Sequence, residues 1–151
     1  MNSVTRFIFI VIGIDLVIAL ILFIILFSLD YFLMYIGPFL PNLGIGIISL
    51  FITGHILSPI LTRAIDSVNR MAIPFGIISI AIVLLIGVVT GASVELLKDI
   101  FKSPNQDLLE AIFDWVVKPL IWIFLFGGIP VVISGSILGW LIKHRQPMKQ
   151  A

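Results

Sequence analysis

Four stretches of this chain, 7–29, 43–61, 73–94 and 119–142, carry almost no polar side chains. Each is long enough to cross about 30 Å of hydrocarbon, which takes about 20 residues of helix. Apolar periodicity inside them is weak, as expected of helices wetted by lipid on one side and packed against neighbours on the other. The pattern predicts an all-α integral membrane protein, a single domain over 1–151 with four transmembrane helices. The first stretch follows Arg6, outruns the apolar core of a signal peptide and ends in Ser28, Leu29 and Asp30 without a small-residue cleavage site. It is expected to be a retained helix.

The polar segments between these stretches differ in character. Asp30 to Asn42 mixes Tyr31, Phe32, Tyr35 and Phe39 with Pro38 and Pro41, the composition of a segment anchored among lipid headgroups. The segment 95–118 is amphipathic in two pieces, split at Ser103, Pro104 and Asn105. In its second piece Leu108, Leu109, Ile112, Phe113 and Val116 recur at helical spacing opposite Asp107, Glu110, Asp114 and Lys118. Asp107 and Glu110 have the spacing of a capping box. A short amphipathic interfacial helix is therefore expected before the fourth span, which begins at Pro119; it serves as a lid on the bundle or as a docking helix. The short loop 62–71 places Arg63, Asp66 and Arg70 at intervals that share one face of a helical turn, and is expected to be solvated.

Composition agrees with a lipid solvent. The 151 residues are 60% hydrophobic and 11% charged, with a mean hydropathy of +1.25; soluble domains carry about a quarter charged residues. A net charge of +1 gives no case for nucleic acid or an acidic substrate. The absence of cysteine excludes disulfides, thiolate catalysis and iron–sulfur clusters. Arg6, Arg63, Arg70, Lys143, Arg145 and Lys149 flank one side of the spans, and only Lys98, Lys102 and Lys118 flank the other. The positive-inside rule then puts both termini in the cytoplasm, in a plasma or inner membrane. Asp30, Glu95, Asp99, Asp107, Glu110 and Asp114 gather on the opposite side, where a solvated surface accounts for them.

Asp15 is the one charged side chain inside a span. A carboxylate at that depth costs about 2.5–3.5 kcal/mol on insertion scales, so a compensating partner is expected. His55, in the second span, lies about 9 Å from the inner end of its helix and Asp15 about 12 Å from its own. Helices joined by a short connection pack as antiparallel neighbours, so an Asp15–His55 pair is expected, with Ser58 and Thr62 extending a polar seam toward the cytoplasm and Pro59 freeing a backbone carbonyl. Such a pair either holds two helices in register or exchanges a proton near neutral pH. His144 lies far in depth from His55, so no metal or haem site is expected. Gly135-Ser136-Ile137-Leu138-Gly139 lacks the nucleophile-elbow spacing, and serines within spans commonly bond to their own backbone. The chain is not expected to be an enzyme.

Packing signals come from glycine. Gly87 and Gly91 in the third span and Gly135 and Gly139 in the fourth have the small-xxx-small spacing that lets backbones approach, and burial within one protomer is the expectation. Gly127, Gly128 and Pro130 predict a kink in the fourth span. Taken together, these features fit a small integral membrane subunit, an accessory or scaffold component of a larger membrane complex, whose partners are other integral subunits and lipid. The alternative is a homo-oligomeric proton- or cation-conducting protomer using Asp15 and His55. No cofactor is predicted from the side chains, although apolar grooves between such helices suit lipid, quinone or pigment.

Overall fold

A computed structural model describes residues 3–67, 71–102 and 107–144. Arg70, Arg145, Lys149 and the expected break at Ser103, Pro104 and Asn105 lie outside the described residues, as do the side chains of Tyr31, Phe32 and Tyr35. The chain is all helical: α1 (Ser3–Phe27), α2 (Leu29–Ser67), α3 (Ala72–Lys102), α4 (Leu108–Ile112), a π-helical turn (Phe113–Val117) and α5 (Lys118–His144). Four helical stretches are long and apolar enough to cross a membrane: Val4–Leu26, Gly37–Ser67, Ala72–Lys102 and Leu108–His144.

Between α1 and α2 stands only Ser28, at φ 69°. Its N–H bonds to the Ile24 carbonyl at 3.0 Å, the left-handed helix stop usually made by glycine. From there α2 runs 39 residues, about 58 Å at 1.5 Å per residue, far more than the hydrocarbon requires. The segment Asp30 to Asn42 is thus not a separate connection; it is the first third of α2. Asp30 in the first turn suits the positive end of the helix dipole, and Pro38 and Pro41 are absorbed within the helix, as membrane helices tolerate.

Helix α3 packs against both α2 and α5, and α1 completes the ring by touching α2 and α5. One end is tightly closed. There Val4, Ile8, Val11 and Ile12 of α1, Leu61 and Ile65 of α2, Ala72 of α3, and Leu138 and Ile142 of α5 belong to one buried cluster. The start of α1, end of α2, start of α3 and end of α5 therefore share this end. Apolar side chains on the outer faces, such as Ile48, Ile52 and Ile56, remain exposed, the arrangement expected where lipid is the solvent.

Glycines set the spacing on both sides of α3. A Cβ built on Gly46 would lie 3.2 Å from the Gly87 carbonyl oxygen, and one on Gly91 would lie 3.0 Å from that of Asn42. Across the other seam, Gly76 of α3 faces the Gly135 carbonyl, while a Cβ on Gly135 would come within 2.5 Å of the Ile77 Cα. Gly87, Gly91, Gly135 and Gly139 all face helices of the same chain. Asn42, Gly46, Ala72 and Gly76 are their counterparts, and bring the backbones within van der Waals contact.

No separate interfacial helix is present among the described residues. Asp107 does cap α4, its carboxylate accepting from the Leu109 N–H at 3.0 Å, but the helical path continues through the π turn into α5. That wide turn ends two residues before Pro119, which lacks the N–H for an ordinary bond to the carbonyl four residues back. Leu108, Leu109 and Phe113 are exposed and Ala111 is buried, so this part of the apolar stripe does not close on the bundle as a lid would. Trp115 Nε1 donates to Asp99 Oδ2 of α3 at 2.8 Å. The indole therefore anchors the segment to α3. Asp99→Ala is expected to cost about 1 kcal/mol locally and to raise amide exchange over 108–117 while leaving α1 and α2 unchanged; uniform exchange across the chain would refute this anchor.

Candidate functional site

Asp15 occupies the level at which the closed core gives way to open space. Its carboxylate is bonded to α5, not α2: Ser134 Oγ donates to Asp15 Oδ2 at 2.9 Å, with the Val131 carbonyl as a second acceptor at 3.4 Å. Ser134 is itself buried. Asp15 Oδ1 is buried without a hydrogen-bond partner, an exception among buried polar atoms that calls for an explanation.

The expected Asp15–His55 pair is not formed. Gly54, Ser58, Leu61 and Ile65 make the face of α2 that turns inward, and a Cβ on Gly54 would meet Ile8 and Ile12 of α1. His55, one position or about 100° further round the helix, is exposed with Ile52 and Ile56. Ser58 does line the α1–α2 contact, with Thr5 as its partner, whereas Thr62 bonds within its own helix. Ser58 Oγ and Thr5 Oγ1 are 2.9 Å apart and buried, and Thr62 Oγ1 donates to the Ser58 carbonyl at 2.8 Å.

Ser134 was within reach of sequence reasoning. It precedes Ile142 by eight residues, about 12 Å of helix, the same depth as Asp15 measured from Phe7. The depth argument that favoured His55 favoured Ser134 equally. What it lacked was the knowledge that α1 leans on α5 as well as α2.

Beyond Asp15 the bundle opens into two clefts. The first, of about 430 Å³, lies between α1 and α5 and is lined by Asp15, Ala19, Phe23, Trp122, Phe126 and Gly127 among others. The second, of about 400 Å³, lies chiefly between α2 and α3, reaching Trp115 and Pro119, and holds Gly46, Gly87, Gly91 and Glu95. Leu84 and Ile123 border both. At the open end Asn42 Nδ2 donates to Glu95 Oε1 at 2.6 Å, and Lys98 Nζ pairs with the same oxygen at 2.7 Å. Deeper in the bundle, Ser49 and Thr90 hydroxyls are 3.1 Å apart across α2 and α3. Pro130 lies inside a continuous α5 and, with Gly127, lines the first cleft.

Among the described residues no three His, Cys, Asp or Glu side chains are grouped as metal ligands. His144 Nδ1 lies 3.0 Å from the Trp140 carbonyl, at the last turn of α5.

Four long apolar helices packed around shared glycine seams point to a multi-pass helical membrane protein. No protein family, curated protein or solved structure matches the chain.

Proposed function

We propose that the chain is an accessory or scaffold subunit of a larger membrane complex, without enzymatic activity, with both termini cytoplasmic in a plasma or inner membrane. One observation carries this reading. Polar side chains, buried or half-buried, tie one helix to the next in pairs at separate levels: Thr5 with Ser58, Asp15 with Ser134, Ser49 with Thr90, and Asn42 with Glu95. Apolar side chains such as Ile8, Ile12 and Leu138 fill the space at the closed end. Polar pairs of this kind fix helix register; a conduction path asks for polar groups that follow one another across the membrane.

The test is purification from the native membrane in mild detergent, with mass spectrometry of all chains that co-elute. Other integral subunits in fixed ratio are expected, and Asp15→Asn is expected to leave that ratio intact. A chain that elutes alone as a homo-oligomer contradicts the proposal. The second reading, a proton- or cation-handling protomer, draws its support from the unpartnered Asp15 Oδ1 and dispenses with His55.

Orientation is open to a direct check, because the chain has no cysteine. Single cysteines at Ser67 and at Glu110 are expected to differ in sealed cells: a membrane-impermeant maleimide labels the second and not the first. The reverse pattern contradicts the cytoplasmic placement of the termini.

A further inference from the structure

The Asp15 carboxylate has a neutral hydroxyl for its one partner, and its other oxygen is unpaired. The salt bridges of Lys98 with Glu95 and of Lys118 with Asp114 are elsewhere. A charge at this depth is costly without a compensating cation. Among the described residues no cation pairs with it, but there is a space beside the carboxylate. The α1–α5 cleft, of about 430 Å³, has Asp15 as its one ionisable lining residue. Its volume falls in the roughly 300–1,000 Å³ range of small-molecule sites, which are mostly apolar with a few convergent polar groups.

Aromatic rings make up part of the wall. Phe23 comes from α1, and Trp122 and Phe126 from α5, the last two stacked at 5.5 Å with their planes 3° apart. Ring faces attract cations, and tryptophan does so most strongly. A bare metal ion does not suit this lining, since hard cations ask for six or more oxygens and the side chains here offer one carboxylate and one hydroxyl. A neutral lipid tail would fill the space and leave the carboxylate as it is.

We propose that the cleft between α1 and α5 binds an organic cation with an apolar body, its charged centre against Asp15 and its body among Phe23, Trp122 and Phe126. The site goes beyond the scaffold reading and does not depend on it.

The test uses a matched pair of probes, diphenylhexatriene and its trimethylammonium derivative, which share one apolar body and differ in charge. Energy transfer from tryptophan to each probe is titrated on the purified full-length protein in a nonionic detergent. The cationic probe is expected to saturate and to bind at least tenfold more tightly than its neutral parent. Asp15→Asn is expected to abolish that tenfold preference, and Asp30→Asn, which removes an equal charge from the exposed start of α2, to retain it. Equal binding of the two probes, or a preference that survives Asp15→Asn, overturns the site. Should Asp15→Asn fail to fold, Gly127→Leu decides: its side chain grows from the cleft wall toward Leu84 and Ile123, so loss of saturable binding is expected and unchanged binding overturns the proposal.

Discussion

Gly139→Ala is expected to destabilise the bundle by about 1–3 kcal/mol, the usual cost of forcing an extra methyl into close packing. The added Cβ would meet the Ala72 carbonyl oxygen and lie 2.8 Å from its carbon and 2.9 Å from the Ile73 Cα. All three are backbone atoms, so no side chain can swing aside; α5 must move away from α3. The displacement also strains the neighbouring level, where Gly76 and Gly135 meet. Gly128 provides the contrast, since a Cβ there has nothing within 4 Å. Gly128→Ala is expected to be neutral or to stabilise by about 0.4–1 kcal/mol through lost freedom of the unfolded chain. Reversible unfolding in mixed micelles, followed by tryptophan fluorescence, separates the two. Equal effects at positions 139 and 128 would mean that the α3–α5 seam is not as close as described.

The second large effect belongs to the closed end. Ile65 is 0% exposed and packs in the cluster that joins α1, α2, α3 and α5. Ile65→Ala leaves a cavity there. In water-soluble cores such truncations cost about 2–5 kcal/mol. Lipid is as apolar as the side chain, so the transfer part is largely lost and packing remains; about 2 kcal/mol is expected. Ile56, one of the exposed isoleucines of the same helix at 59%, is expected to cost less than about 0.5 kcal/mol when truncated. A difference smaller than this, measured in the same micelles, would place the core elsewhere.

Helix number and approximate position were legible in the sequence because the bilayer imposes a length and an apolar composition on every span. Helix ends were not. Asp30 to Asn42, with Pro38 and Pro41, read as a connection between spans, yet α2 carries through it, since a helix with no competing solvent for its backbone tolerates a lost bond. The amphipathic spacing over 108–116 marks a face that stays exposed at Leu108, Leu109 and Phe113, while the contact with α3 runs through the Trp115 ring N–H, which hydrophobic periodicity does not encode.

The candidate site divides in the same way. Asp15 stood out by cost alone, and depth arithmetic correctly limited its partners to the middle of other spans. Choosing between His55 and Ser134 required knowing which face of α2 points inward. Gly54, which lets Ile8 and Ile12 close on α2, decides that face. Of the two glycine seams, one side each was visible as Gly87 with Gly91 and Gly135 with Gly139. Their counterparts Asn42 and Gly46, and Ala72 and Gly76, share the four-residue spacing with a less conspicuous composition.

Separate polar levels that join helices, with no path between them, are the central claim of this account. Proton flux into proteoliposomes, driven by a potassium diffusion potential and read with an entrapped pH dye, tests it most directly. The native protein is expected to match protein-free vesicles, and Asp15→Asn to match the native protein. Flux well above the vesicle background that Asp15→Asn removes, with assembly intact, would contradict the claim and make the carboxylate a conducting group.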